Sequence, residues 1–334
     1  MRPDGVAPST SQAVIASPRP GESTAAAYGL GVHYDEVIAM AFDAPGFEGV
    51  PTPTLEPSAA RRLRDAIEPL AMHAVWSRRT NEALAERGLD FFGSYVWGRA
   101  TALGTPSPSV VTATFAVFEP TVIAGVYETA LATCDRQTVL AIRAETVAAS
   151  LADTLRGEDP GEVGAIADAI FDAVEGVDGL GRPLFAGLRD QGRPEDPFAR
   201  LWRAGDLIRE HRGDGHVAVC TARGLDAVEM NVLTELWLGM PYGTYSATRF
   251  WPAERLEAAA DALRGRGWMD GEHLTAAGRA VRQQIEDDTD ALEVAIVRAL
   301  DDALPRVVDR CATWSAACVE ARLFPPDPFK RAAG

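Results

Sequence analysis

Six ionisable side chains fall within eight positions of this chain: Arg209, Glu210, His211, Arg212, Asp214 and His216. The stretch that carries them, LWRAGDLIREHRGDGH from Leu201 to His216, is otherwise set among Leu, Val and Ala. A buried polar group without a partner costs roughly 1–3 kcal/mol, and more if charged, so these groups must satisfy one another or face water or a ligand. Three chemistries suit the pattern. His211, Asp214 and His216 form H-x2-D-x-H, which offers two nitrogens and an oxygen to a metal; it lacks the rigid spacing of a helix-borne zinc motif, and no metal is assigned. One histidine oriented by Asp214 or Glu210 suits acid–base work. The third reading, and the favoured one, is a buried polar network that locks a helix corner at the floor of a ligand cavity.

On this reading the catalytic candidates are His211, Asp214 and His216. The ligand-facing candidates are Arg99, Trp202, Arg209, Arg212 and Glu119. A helix from Pro197 to Arg212 puts Trp202 and Arg209 on one face, seven apart, and Gly213 is expected to end it. Asp214 is then placed to cap a following helix that begins DGHVAVC. Arg99 is the only charge in the aromatic segment FFGSYVWGRATALG, and it is expected to meet an acid such as Glu119 or to line a cavity. No GxSxG, P-loop or GxGxxG motif occurs, so the motifs name no nucleophile, and any cofactor is left unknown.

The elements that must hold these groups read as helices. From Ser58 onward the punctuation is an acid or Ser followed by Pro, at Glu68-Pro69, Ser107-Pro108, Glu119-Pro120, Asp159-Pro160 and Asp196-Pro197. Asp and Ser accept hydrogen bonds from the first turn, and Pro at the first helical position lacks the N–H that would go unpaired. Helices are therefore predicted to start near 59, 70, 90, 108, 120, 136, 160, 183 and 197. Gly88, Gly104, Gly157, Gly213, Gly224 and Gly239 supply stops. Residues 1 to 30, rich in Pro, Ser, Ala and Gly, read as a disordered tail, and 31 to 57 as an extended connector with about one docked helical turn. The domain reading is tail and connector over 1–57, a helical region over 58–175, and a winged-helix-like region over 176–334.

After Gly224 the order is a helix from Asp226 to Leu238, a connector, a helix from Pro252 to Arg264, a short strand pair around Trp268 to Leu274, and a long helix from Ala276. That is the layout of a winged helix-turn-helix, whose second helix enters the DNA major groove. Its chemistry opposes DNA. The helix in the reading position bears Glu254, Glu257 and Asp261, only partly offset by Arg255, Arg264 and Arg266, and the wing is a tight turn bearing Asp270 and Glu272. The whole chain carries a formal charge of −16, with Lys330 its one lysine, and phosphate binding needs a segregated basic face. Cys134, Cys220, Cys311 and Cys318 lack CxxC spacing and read as free buried thiols. With no apolar run near the ~20 residues of a membrane span and no hydrophobic signal segment, a cytoplasmic protein is expected.

Several pieces together carry a resemblance. RPLFAGL, LWRAGDLIREHRGDGHVA, ARGLDAVE, GRGW, HLTAAGRAVR and IEDDTDAL occur in that order, preceded by GRATALGTPSPSVVTATFAVFEP. Over about 59 to 295 the chain resembles the SalK-type actinobacterial "helix-turn-helix" family, and LRGRGWMDGEHLTAAGRAVRQQIE is similar in layout to MarR-type regulators. Ala116 and Val117 depart from the family's Tyr and Asn. The resemblance implies an all-α fold with a degenerate winged-helix core and one small β wing. The function expected is binding of a small-molecule ligand, with or without catalysis, on a scaffold that has lost DNA binding. The alternative is a ligand-responsive MarR-like regulator, and the third reading an interaction scaffold. Partners are a small molecule, with DNA disfavoured, no membrane, and a homodimer allowed.

Overall fold

The computed structural model describes residues 31, 33–42 and 58–326, so the reading of residues 1–30 as a tail lies outside the described residues. In chain order the helices are α1 (Tyr34–Phe42), α2 (Ala59–Ala71), α3 (His73–Trp76), α4 (Arg78–Ala85), α5 (Phe91–Ala100), α6 (Pro108–Phe115) and α7 (Pro120–Thr133). They continue with α8 (Arg136–Thr154), α9 (Pro160–Glu175), α10 (Pro183–Arg189), α11 (Pro197–Ala222), α12 (Ala227–Leu238), α13 (Thr244–Ala247) and α14 (Ala253–Gly265). The strands β1 (Met269–Asp270) and β2 (His273–Leu274) follow, then α15 (Ala276–Leu292), α16 (Val294–Leu300) and α17 (Leu304–Glu320). The fold is all-α with one small β wing.

The capping chemistry behaves as the sequence implies. Asp90, Glu119, Asp135, Asp159 and Asp196 each accept a backbone N–H from the first turn of the helix they precede. Two of the pairs differ: Ser107 precedes α6 without a side-chain cap bond, and Pro69 lies inside α2 rather than opening a new helix. The connector also holds more than one turn, since α1 is nine residues long. At the wing, Met269 pairs with Leu274 and Asp270 with His273 in antiparallel register. Gly271 takes the first central position of the turn at φ +57°, which a residue with a Cβ rarely adopts.

Two apolar clusters divide the molecule. The larger runs from Leu63 to Ile208 and takes in Ile296 to Cys318, around the fully buried Trp97, Trp202 and Trp314. The smaller, from Val219 to Ile285, is the core of the winged-helix unit, with α12, α14 and the hairpin closed by α15. Helix α11 belongs to both. It packs on α2, α8, α9 and α10 in the body and on α15 of the winged unit. All four cysteines are free and buried, and no described helix is long and apolar enough to cross a membrane.

Candidate functional site

Helix α11 does not stop at Gly213. It runs unbroken for 26 residues, because its interior glycines, Gly205, Gly213 and Gly215, cost only about 1 kcal/mol each and packing on both sides outweighs that. The continuity changes where the cluster points. At about 100° per residue, Arg209, Arg212 and His216 share one face, while His211 and Asp214 point to the other.

On the far face, Asp214 does not cap its own helix. Its Oδ2 accepts the backbone N–H groups of Leu184 at 3.0 Å and Phe185 at 3.1 Å, capping α10 across the interface. His211 is buried, with Nδ1 2.6 Å from Oε1 of Glu293 and its ring edge-on to Phe185. The H-x2-D-x-H triad is therefore split, and among the described residues no three His, Cys, Asp or Glu gather as a metal site. Trp202 is fully buried in the body core, and its indole donates to the carbonyl of Ala71. Glu119 caps α7 through the N–H of Val122 and does not meet Arg99.

Burial raises the Asp214 carboxyl to about 6 against the two N–H bonds that favour its charge. The sign follows: between the unfolded value of 3.8 and about 6, only the folded state holds the proton, so this group's contribution shrinks as pH rises through that window. At roughly 1.4 kcal/mol per unit the span is about 3 kcal/mol. Asp214→Asn keeps an oxygen for both N–H groups and should flatten that slope in urea unfolding between pH 4 and 6. Asp214→Ala should lose about 1–2 kcal/mol at neutral pH as an uncapped helix does. An unchanged slope in the Asn variant would contradict the assignment.

The near face of α11 opens on a cavity of about 140 Å³ between the helical body and the winged unit. Its walls are Arg61, Arg64 and Glu68 of α2, Tyr95 and Arg99 of α5, and Thr114, Phe115, Val117 and Phe118 around the end of α6. Arg209, Arg212, Gly213, His216 and Val217 of α11, Thr234 of α12, Tyr245 of α13, Arg249, and Arg282 and Glu286 of α15 complete it. Of the sequence-derived candidates, Arg99, Arg209, Arg212 and His216 meet here; His211, Asp214, Trp202 and Glu119 do not line it. Val117, where a polar side chain is usual in the family resembled, adds an apolar wall, and its carbonyl takes the side-chain N–H groups of Asn231 and Trp251.

Two carboxylates organise the arginines. Glu210 receives a two-pronged bond from Arg99, Nε to Oε1 at 2.8 Å and Nη2 to Oε2 at 2.7 Å, and a third from Arg209 at 2.8 Å. Glu286 receives Arg61, Arg212 at 2.8 Å and Arg282 at 2.7 Å. Asp290 takes the other arm of Arg212 at 2.6 Å and the hydroxyl of Ser58, the residue that caps α2. Burial alone would push the Glu286 carboxyl up, but Arg282, Arg61 and Arg212 hold it well below the usual range. His216 goes the other way: burial, then Arg282, depresses it to about 3, so it is neutral at pH 7. Its ring bonds Thr289 at 3.2 Å and lies 3.6 Å from Sγ of Cys220.

The winged unit's outer face is different. Arg264 donates to both Glu257 and Asp261 at 2.7 Å, Arg266 lies 3.2 Å from Glu229, and Arg255 lies 3.7 Å from Asp226. Each arginine on or next to the reading helix thus has a carboxylate beside it.

The profile of a helix-turn-helix family matches residues 60–325. The chain belongs to this family. The match covers both the helical body and the winged unit, so the body is part of the family's shared architecture and not an appendage to a DNA-binding module. Neither a curated protein nor a solved structure matches the chain.

Sequence reasoning missed the walls supplied by α2 and α15. A signal was present. Arg61, Arg64 and Glu68 recur at helical spacing, as do Arg282, Glu286, Thr289, Asp290 and Glu293. A charged stripe normally faces solvent, and here both stripes face α11.

Proposed function

We propose that this protein binds a small molecule in the cavity between its helical body and its winged unit, and that the winged helix no longer binds DNA. The observation that carries this reading is the cavity's lining: seven arginines, with Tyr95, Phe115 and Phe118, are turned inward between two packed units of a chain of charge −16. Pockets that combine apolar walls with convergent polar groups are the usual form of ligand sites. Arg99, Arg209, Arg212 and His216 are the ligand-facing residues on this proposal, joined by Arg249 and Arg282. His211 and Asp214 keep a supporting role, holding α10 and α15 against α11. The absence of a free basic face on the reading helix supports the loss of DNA binding.

A thermal-shift screen of organic acids and phosphates tests it alongside a DNA titration. At a ligand concentration 100 times its Kd, binding adds about 2.7 kcal/mol, which raises the melting temperature by several degrees. At least one anion should give such a shift, and duplex DNA at physiological salt should give no binding. Nanomolar, salt-sensitive binding to a defined operator, with no small-molecule shift, would overturn the proposal in favour of a regulator.

A further inference from the structure

The charge around the cavity does not balance. Arg64 has Asp65 beside it at 3.0 Å. The other six arginines are Arg61, Arg99, Arg209, Arg212, Arg249 and Arg282. Four carboxylates serve them at close range: Glu68, Glu210, Glu286 and Asp290. Asp65 also reaches Arg61, but at 3.7 Å and from a half-exposed position. His216, being neutral, adds no charge. Within ion-pair distance the described residues therefore give these six arginines two carboxylates too few, with Glu293 and Asp214 acting on Arg212 and Arg99 from farther off.

Two of these arginines have a donor with no acceptor, Arg249 and, although Glu286 holds its terminal nitrogen, Arg282. Arg249 has no carboxylate partner among the described residues. Its guanidinium lies over the rings of Tyr245 and Phe118, with centroid distances of 4.3 and 5.0 Å, and its terminal nitrogens donate to the hydroxyls of Thr248 and Tyr245. Its Nε is buried with no hydrogen-bond partner, and so is the Nε of Arg282, a residue 3% exposed. A buried donor without an acceptor is costly, and an oxyanion removes that cost. The backbone N–H of Glu119 donates to the carbonyl of Arg249 at 2.9 Å and fixes the loop that carries it.

We propose that the ligand carries a dianionic oxyanion, a phosphomonoester, whose head pairs with the guanidinium groups of Arg249 and Arg282 and whose organic part lies on Phe115 and Phe118. This deepens, and rests on, the reading of the cavity as a small-molecule site. Two charges are matched by one phosphate, whereas a monocarboxylate leaves one unmatched. Guanidinium forks pair with phosphate oxygens through strong charge-assisted bonds. The aromatic wall gives an ester an advantage over the bare ion.

Calorimetric titration of the full chain with phenyl phosphate, benzoate and inorganic phosphate tests this. Phenyl phosphate should bind about tenfold or more tightly than either benzoate, which shares its ring, or inorganic phosphate, which shares its head. Arg249→Met should lower phenyl phosphate affinity by about tenfold with the melting temperature nearly unchanged, and Arg249→Lys should recover part of the loss. Equal affinity for benzoate, or an Arg249→Met protein that binds phenyl phosphate as well as the parent, would overturn the dianion proposal while leaving the small-molecule reading standing. No binding of any of the three overturns it too, and the anion screen then decides the broader reading separately. If a variant fails to fold, the three-ligand comparison on the unmodified protein still decides.

Discussion

Replacing Glu286 by Gln should lower the melting temperature by roughly 5 °C. The carboxylate is 4% exposed and holds Arg61, Arg212 and Arg282 at once, from α2, α11 and from its own helix, α15. Removing one partner of a buried ion group leaves the others uncompensated and costs about 3–5 kcal/mol, at about 1–2 °C per kcal/mol in a chain of this length. The pH dependence follows from the depressed carboxyl. Its contribution is present above the unfolded value of 4.5 and is lost only as pH falls through the lower folded value. The native protein should therefore keep this term in mildly acidic buffer, and the Gln variant should lack it throughout. Calorimetry on the two proteins at neutral pH and near pH 5 measures both effects. A variant that melts within a degree or two of the parent would show that the three arginines do not depend on Glu286.

The second large effect is expected at Gly278. A Cβ there would sit 2.1 Å from the carbonyl oxygen of Trp268, backbone that cannot swing aside. That oxygen already accepts the N–H of Thr275 at 3.0 Å, so the start of α15 and the residue before β1 are locked together. Gly278→Ala must push the hairpin off α15, at a cost of about 3 kcal/mol. Gly125, in the middle of α7 with no heavy atom within 4 Å of its Cβ position, is the control. Gly125→Ala should stabilise by about 0.5–1 kcal/mol, the usual gain on removing a helix glycine. If both substitutions move the unfolding midpoint the same way, the close approach at Gly278 does not limit the packing.

Local chemistry made much of the fold legible. Asp159-Pro160, Asp196-Pro197 and Glu119-Pro120 marked helix starts because the first-turn N–H groups have few ways to be satisfied. The winged unit was legible through its order of elements and its Asp-Gly turn. Pro69 misled because a proline near the end of a helix breaks few bonds, and tertiary packing kept α2 intact.

Gly213 misled more deeply. Reading it as a stop let five side chains of the cluster converge, whereas a continuous helix sends His211 and Asp214 to one side and Arg209, Arg212 and His216 to the other. Asp214 is a cap, as its residue type suggests, but for a helix some 30 residues earlier in the chain. No local pattern carries that information. The same holds for Glu286 and Arg282: their spacing is visible, but their burial depends on a second charged helix being available to face them. Arg99 was legible as a buried charge needing a partner, while the choice of Glu210 over Glu119 is set by how α5 packs on α11.

On the proposed function, an anion belongs in the cavity between body and winged unit. Crystals grown with 4-bromophenyl phosphate test it most directly, through the anomalous signal of bromine. A bromine peak is expected inside the cavity against Phe115 and Phe118, with phosphate density at Arg249 and Arg282. Bromine found only on the outer face of the molecule, with the cavity filled by water alone, would contradict it.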